Sequence, residues 1–306
     1  MITGMKPIPF VRDFDFAYGR CDQVSGLIQR VICANPGPFT FTGTGTYIVG
    51  RNEPSASVAV IDPGPVDEAH LKALLEAIGD RKVSHILVTH THADHSPLSH
   101  RLSRACADAP IYAAPLPAPI GTMVPMDAED DDSFVPDVLL KDGDIIHGDG
   151  WTIETITTPG HASNHLAFAL VEENALFSGD HIMGWSTTIV SPPDGDMADY
   201  IASLDKIMAR DFDIIWPTHG PAIIEVTPFL DAYRAHRMLR EAQVIERLKA
   251  GDTSISQMVP LLYAKVDKGL WPAASLSVLS HLTKLAKDGR VIARPEVSLS
   301  AEWVLL

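Results

Sequence analysis

The sequence predicts a mixed α and β fold in two domains, and three observations support this prediction. Up to about residue 228, short apolar runs rich in β-branched residues alternate with Gly- and Pro-rich turns and amphipathic helices. From about residue 229, helical periodicity dominates. The charge changes at the same point, because residues 229–306 carry eleven Lys and Arg against eight Asp and Glu in a chain of net charge −15. We therefore predict one domain at 1–228 and a second domain at 229–306.

Length and composition limit the class of protein. A chain of 306 residues that is 46% hydrophobic can bury an ordinary core. No apolar run approaches the roughly 18 residues that a membrane helix needs, and the N-terminus lacks the apolar segment of a signal peptide. We expect no membrane contact and a cytoplasmic location. The three cysteines form no Cys-x-x-Cys pair, which argues against a disulfide framework or a thiolate metal site.

The N-terminal part reads as strands and one helix. Strands are predicted at 26–33, 45–49 and 58–61, and a helix at 67–79 whose apolar residues recur at helical spacing. Asp62 directly follows the third strand. Its carboxylate is suited equally to capping the turn and to supporting a metal-binding histidine.

A histidine-rich motif follows the next predicted strand, residues 83–89. The motif His90-Thr-His92-Ala-Asp94-His95 supplies three imidazoles and a carboxylate within six residues. Imidazole nitrogen and carboxylate oxygen are zinc ligands, and a catalytic zinc keeps one position open for water. A polar loop that is rich in histidine by chance is a weaker explanation at this spacing. The motif therefore predicts a site for one or two metal ions.

An apolar strand followed by a ligand-type side chain recurs further along the chain. A strand is predicted at 111–114, then a Pro-rich loop to residue 136 that could overhang the site. Hairpins are predicted at 139–146 with 151–157 and at 166–171 with 175–178, and a last strand at 212–216. Three of these runs end in abrupt turns that present ligand-type side chains, namely Pro159-Gly-His161, Gly179-Asp180-His181 and Thr218-His219-Gly220. Such groups converge if the strand ends lie on one edge of a sheet assembly.

These motifs, in this order, resemble the metallo-β-lactamase superfamily over most of residues 20–225. The resemblance implies an α+β fold, a four-layer αβ/βα sandwich. It implies two Zn²⁺ ions per chain, with iron or manganese not excluded. The implied ligands are His90, His92 and His161 for one ion, Asp94, His95 and His219 for the other, and Asp180 as the bridge. No cysteine stands among the second-site residues, unlike in the B1 lactamases, so the sequence is more similar to the hydrolase and nuclease branches.

The implied mechanism is hydrolysis by a metal-bridging hydroxide. Two zinc ions about 3.5–4 Å apart lower the pKa of a shared water toward about 7 and polarise the substrate oxygen. The resemblance implies that Asp94 and Asp180 are the catalytic carboxylates and that Asp94 also orients the hydroxide. His165 and His181 are further candidates for substrate contact, although each is equally suited to a structural role. The loop at 185–196 is in position to line a substrate groove.

The C-terminal domain has the outline of a winged helix. Helices are predicted at 228–250, 252–263 and 273–287, followed by two short strands at 291–293 and 303–306. Together with the catalytic motifs, this pattern is similar to the lactamase-β-like protein 2 subfamily, whose animal members cleave single-stranded RNA. We expect this small winged-helix-like domain to pack on the catalytic domain or to mediate dimerisation, rather than to bind specific DNA, because fold alone does not specify function.

The substrate is left open. We favour phosphodiester cleavage of single-stranded RNA, although the acidic charge of the catalytic part opposes binding of phosphates. A small-molecule thioesterase or lactonase of the hydroxyacylglutathione hydrolase type is the alternative. A nucleic-acid-binding protein with a structural metal site is the alternative from another class. A homodimer also stays open, because symmetric dimers are the commonest soluble oligomers.

Overall fold

The computed structural model describes residues 7–116, 131 and 134–306. Most of the Pro-rich loop that was predicted to overhang the site lies outside these residues. In the described part of the chain, no helix is long and apolar enough to cross a membrane.

The first sheet contains seven strands arranged in chain order. They are β1 (Cys21–Gln23), β2 (Ile28–Ile32), β3 (Gly45–Val49), β4 (Ser57–Ile61), β5 (Lys82–Leu87), β6 (Ile111–Ala113) and β7 (Val138–Leu139). Strands β1 to β4 pair antiparallel, whereas β4 to β7 pair parallel. The parallel part follows from the crossover helix α1 (Glu68–Ile78), which Asp67 caps by accepting from the N–H of His70. A second helix, α2 (Ser99–Ala105), follows the histidine motif.

The second sheet contains five strands in the order β12-β11-β10-β9-β8. They are β8 (Ile145–His147), β9 (Thr152–Thr157), β10 (Leu166–Leu170), β11 (Ala175–Gly179) and β12 (Ile214–Pro217). All pairs are antiparallel except β11 with β12, which the helix α3 (Met197–Met208) connects.

Three buried cores define four layers. One core joins the facing sheets, with Tyr47 and Leu87 from the first sheet against Phe168 and Phe177 from the second. A second core packs α1 and α2 on the outer face of the first sheet. A third packs α3 and the following helix on the outer face of the second sheet. The predicted αβ/βα sandwich is thereby confirmed.

One predicted strand was wrong. Residues 139–146 do not form one arm of a hairpin, because Leu139 belongs to β7 in the first sheet and Ile145 begins β8 in the second. The turn between them contains Gly143 at φ +80°, and the side chain of Asp144 accepts from the N–H of Lys141. This turn chemistry ends one strand before the next begins.

The C-terminal part consists of three helices and a hairpin, as predicted. They are α4 (Val226–Lys249), α5 (Ile255–Leu262), α6 (Trp271–Lys287), β13 (Val291–Arg294) and β14 (Glu302–Leu305). Helix α4 crosses the predicted boundary at residue 228. Its first turns place Phe229 and Tyr233 in the core against α3, and its last turns place Val244 and Leu248 in the core of the C-terminal helices. The two parts of the chain therefore share one continuous helix.

Candidate metal centre and substrate cleft

The ends of four strands carry the predicted ligands to one place. The histidine motif follows β5, His161 follows β9, Asp180 follows β11 and His219 follows β12. The turn before His161 needs a glycine, because Gly160 has φ +136° and a Cβ there would lie 2.3 Å from Cα of Tyr200. Close approach of α3 thus fixes where His161 points.

The first predicted ligand set forms a tight group of ring nitrogens. Nε2 of His90 lies 2.9 Å from Nδ1 of His92, and Nε2 of His161 lies 3.2 Å from the same atom. All three side chains are buried. Tetrahedral zinc with nitrogen ligands at 2.0–2.1 Å separates those nitrogens by about 3.3 Å, so the spacing fits a single ion.

The second predicted set lies beside the first. Nε2 of His219 is 3.1 Å from Oδ2 of Asp94, and Nε2 of His95 is 3.6 Å from Oδ1 of the same carboxylate. Asp180 lies between the sets, with Oδ1 3.4 Å from Nε2 of His219 and Oδ2 3.9 Å from Nε2 of His161. The structure therefore brings all seven predicted ligands together.

The donor atoms fit a divalent metal centre. Nε2 of His95 and Oδ1 of Asp180 are buried and have no hydrogen-bond partner within the described residues. Buried polar groups are normally hydrogen-bonded, so atoms of this kind that point at one another in a His and Asp cluster indicate a cation site. The fold and this cluster together support a divalent metal centre.

In His161 and His219, the ring nitrogens that point away from the cluster are hydrogen-bonded to backbone carbonyls. Nδ1 of His161 donates to the carbonyl of Ile189 at 2.7 Å, and Nδ1 of His219 donates to the carbonyl of Gly43 at 3.2 Å. Each bond fixes the ring and leaves Nε2 facing the cluster. Only the His92 ring offers Nδ1 to the cluster instead.

Asp62 supports His95 rather than capping its own turn. Its fully buried carboxylate lies 2.8 Å from Nδ1 of His95 and accepts from the N–H and hydroxyl of Thr89 and from the hydroxyl of Thr218. Of its two predicted roles, the structure therefore selects the support of a candidate metal ligand. Thr89 and Thr218 directly precede His90 and His219, but no sequence pattern indicates that both bind the same carboxylate.

The titration of the cluster follows from burial and charge. Burial, and then the neighbouring imidazoles of His95 and His92, hold the pKa of His90 well below its usual value, which keeps it a neutral ligand. Burial alone would lower the pKa of His219, but the carboxylates of Asp180 and Asp94 outweigh it and raise that pKa to about 10. A divalent cation would take over this neutralisation of the carboxylates.

His165 and His181 lie beneath the cluster and do not line the cleft. Nε2 of His165 accepts from the backbone N–H of Asp180 at 3.1 Å, and its Nδ1 donates to the hydroxyl of Thr158 at 2.8 Å. His181 is fully buried, with its ring packed 4.8 Å from that of Tyr200. Their positions offer support of Asp180 and its loop instead of the predicted contact with substrate.

A cleft of about 440 Å³ opens onto the cluster, with His92, Asp94, His161 and Asp180 at its inner end. Its walls come from the N-terminal segment, the loop after Asp180 and the C-terminal helices. The larger apolar and aromatic residues of the walls are Phe10, Phe39, Met183, Trp185, Ile189, Tyr263, Val266 and Leu270. The predicted contribution of the loop at 185–196 is confirmed for its first residues, whereas the C-terminal wall was not predicted.

Comparison with known proteins gives the family. The sequence profile described as "Metallo-beta-lactamase superfamily" matches residues 42–219, and that described as "Beta-lactamase associated winged helix domain" matches residues 254–303. The chain is 33% identical over 288 residues to "Beta-lactamase-like protein 2 homolog" of Caenorhabditis elegans, covering 92% of this chain and 91% of that protein. It is 29% identical over 278 residues to "Atrochrysone carboxyl ACP thioesterase" of Aspergillus chevalieri, covering 88% and 84%.

A solved structure shows the same fold over almost the whole length. The crystal structure of a beta-lactamase domain protein from Burkholderia ambifaria superposes with a TM-score of 0.77 at 21% identity and covers 96% of each chain. The fold, the profile matches and the relatives agree with the predicted resemblance. The chain is a hydrolase and belongs to the metallo-β-lactamase superfamily, with a β-lactamase-associated winged helix domain after the catalytic domain.

Proposed function

We propose that this chain is a binuclear zinc-dependent hydrolase of small acyl thioesters and related acyl esters. The main support for this proposal is the lining of the cleft. The cleft has a volume of about 440 Å³ and mainly apolar and aromatic walls, and such a pocket suits an acyl group better than a polyanionic strand. The net charge of −15 also opposes an extended contact with phosphates.

The proposed ligands are the seven residues of the cluster. One ion would be held by His90, His92 and His161, the other by Asp94, His95 and His219, with Asp180 serving both. When bound, such a pair supplies a water of lowered pKa and polarises the substrate oxygen. We prefer zinc because nitrogen and carboxylate ligands suit it, while iron and manganese accept similar sites.

The protein groups have distinct roles in the proposed reaction. Asp94 lines the cleft, so its carboxylate is placed to accept a proton from the attacking water. The backbone N–H of Asp180 donates to Nε2 of His165, which holds in place the turn that carries the Asp180 carboxylate. Phe39 and Trp185 line the cleft, where their rings would limit the access of bulk water to a bound substrate.

The thioesterase proposal is supported by a relative of nearly full length. The fungal protein named as an acyl carrier protein thioesterase aligns with 88% of this chain, so its alignment includes most of both domains. A thioester carbonyl at the inner end of the cleft would leave its acyl group against the apolar walls.

Single-stranded RNA is the second candidate substrate, and a row of rings favours it. The rings of Tyr18, Phe16, Phe14, Phe41 and Trp185 follow one another at centroid distances of 5.5, 5.1, 6.5 and 4.7 Å. The row leads from the exposed Tyr18 to the wall of the cleft. Aromatic side chains are the usual surface on which single-stranded bases stack.

A hydrolysis screen separates these candidates. The zinc-loaded protein is assayed against S-hexanoyl-N-acetylcysteamine, a simple lactone, bis-p-nitrophenyl phosphate and a short single-stranded RNA, with Asp94→Ala as the control for contaminating activity. Turnover of the thioester that is lost in Asp94→Ala supports the proposal. Cleavage of RNA and the phosphodiester alone, lost in the same control, would replace it with the nuclease function.

A further inference from the structure

A buried arginine forms part of the cleft wall. Arg237 lies on α4, is 3% exposed and belongs to the cleft that also contains Asp180. Its guanidinium lies 4.8 Å from the ring centroid of Tyr200 and 5.7 Å from that of Tyr233. These rings hold it in one orientation, because a cation is attracted to an aromatic face.

Among the described residues, Arg237 has no carboxylate partner, in contrast to Arg234 and Arg247 of the same helix. Arg240 of α4 also forms no ion pair within that part of the chain, but it donates hydrogen bonds to Gln243 and to the carbonyl of Leu262. Arg234 and Arg247 each form an ion pair, with Asp205 and Asp252. No carboxylate of the described residues lies within ion-pair distance of Arg237, and its Nε is buried without a hydrogen-bond partner. A buried cation without a counter-ion lowers the stability of the fold. A cation of this kind beside an active site therefore indicates a binding site for an anionic ligand.

The groups around Arg237 do not supply negative charge. Its titratable neighbours are the imidazoles of His181, His236 and His281 and the hydroxyls of Tyr200, Tyr233 and Tyr263. Burial, and then the positive charges of Arg237 and Arg240, lower the pKa of His236 to about 4 and that of His281 to about 3. Arg240 also lines the cleft, with its charge over the ring of Tyr263. This side of the cleft is therefore positive, in a protein of net charge −15.

A short chain of hydrogen bonds joins Arg237 to the metal centre. Nη2 of Arg237 donates to the carbonyl of Thr188, and the hydroxyl of Thr188 donates to the carbonyl of Asp180 at 2.7 Å. A single residue, Thr188, therefore connects the guanidinium to Asp180, the candidate bridging residue. Both Arg237 and Asp180 line the same cleft.

We propose that Arg237 binds an anionic group of the substrate, a carboxylate or a phosphate, while the scissile acyl bond lies at the metal centre. The fixed planar guanidinium suits either oxyanion and would gain the counter-ion that the protein does not provide. The inference rests on the proposed function, and it names acyl compounds with a second, negatively charged end as the substrate class. Arg237 would then determine specificity, in addition to linking α4 to the loop.

The kinetic test compares two thioesters that differ only in that end. S-hexanoyl- and S-adipoyl-N-acetylcysteamine are hydrolysed by zinc-loaded wild type, Arg237→Met, Arg237→Lys and the same-helix control Arg234→Met. We expect wild type and Arg234→Met to prefer the adipoyl compound in kcat/KM by about tenfold or more, the worth of one charged hydrogen bond. Arg237→Met should lose this preference, so that the ratio of its kcat/KM values for the two compounds approaches one, and Arg237→Lys should keep part of the preference.

A preference for neither thioester in wild type, or an equal loss for both in Arg237→Met, would assign Arg237 a structural role only. If neither thioester is hydrolysed, the proposed function fails, and the role of Arg237 is then tested by the binding of anions alone. Calorimetry then measures monomethyl adipate and butyl phosphate with the zinc-loaded proteins at equal metal content. About tenfold weaker binding of either anion by Arg237→Met than by Arg234→Met supports the inference, and the preferred anion identifies the group. Equal binding, or none, overturns it.

Discussion

Oδ2 of Asp62 lies 2.8 Å from Nδ1 of His95, and both side chains are fully buried. The same carboxylate accepts hydrogen bonds from Thr89 and Thr218, so it is fixed from three directions. The His95 ring is therefore held with Nε2 toward Asp94 and Asp180. This contact ties strand β4 to the ends of β5 and β12.

Replacing this carboxylate should weaken metal binding. Asp62→Asn keeps the shape but removes the charge that orients and polarises His95, so the affinity for the zinc ion proposed to be held by His95 should fall about 10- to 100-fold. Competition with a chromophoric chelator measures this. Asp67→Asn is the matched control, because asparagine also caps a helix such as α1. Unchanged zinc affinity in Asp62→Asn would refute the support role.

Removing the metal should lower both activity and stability. Without cations, the buried carboxylates of Asp94 and Asp180 depend on protonated His95 and His219 for neutralisation. Chelation should abolish hydrolysis and lower Tm, and zinc should restore both, because a ligand that binds only the folded state stabilises it. Differential scanning fluorimetry with and without chelator measures the shift. A Tm that chelation leaves unchanged would contradict a bound metal centre.

The contact between α4 and the cleft loop should contribute to stability. The hydroxyl of Tyr233 accepts from the N–H of Thr188 at 2.7 Å in a buried position. Tyr233→Phe leaves that N–H without a partner and should lower the free energy of unfolding by about 1–3 kcal/mol. Denaturant unfolding at constant metal content measures it. The control Tyr18→Phe, at an exposed position, should change the free energy of unfolding by less than about 0.5 kcal/mol. Equal changes in Tyr233→Phe and Tyr18→Phe would show that the hydrogen bond between Tyr233 and Thr188 does not stabilise the fold.

An ion pair between α3 and α6 should make stability depend on pH. Burial opposes the charge of Asp196, but the hydrogen bond from Lys287 and the N–H groups of α3 lower its pKa below 3.8. A lowered carboxyl pKa stabilises the fold above about pH 4, and this contribution is lost as the pH falls through the lowered pKa. Lys287→Met should therefore cost about 0.5–1 kcal/mol at pH 7 and progressively less below pH 4.

Unfolding curves of Lys287→Met and wild type across pH 3–8 test this dependence. Lys72→Met, which removes an exposed pair with Glu76 at 3.7 Å, is the control and should show a smaller effect. The difference in free energy of unfolding between Lys287→Met and wild type should shrink below about pH 4. A difference that stays constant from pH 7 to pH 3 would show that Asp196 does not stabilise the fold through its charge.

The sequence predicted the strands that carry ligand-type residues because each one ends in a local signal. An apolar run followed by Pro159-Gly160 or by Gly179 specifies both the strand and its abrupt end. The same local logic failed at residues 139–146, where one apolar pattern spans two strands in different sheets. Membership of a sheet is a tertiary property that periodicity does not encode.

Side-chain direction around the site also lay beyond the sequence. His165 and His181 stand next to predicted ligands, yet their rings point away from the cleft. Arg237 lies far from the motifs in sequence, and only the packing of α4 on α3 brings it to the cleft. Composition indicated an acidic protein but could not show that one wall of its cleft is positive.

Asp180 is proposed to join two metal sites. Mass spectrometry of metals in zinc-loaded, gel-filtered protein, together with the hydrolysis assay, tests it in wild type and Asp180→Ala. We predict two zinc ions per wild-type chain, and one or fewer in Asp180→Ala with loss of hydrolysis, because that variant removes the carboxylate between His161 and His219. Full metal content with full activity in Asp180→Ala would contradict the bridging role, and a single ion in wild type would contradict the binuclear centre.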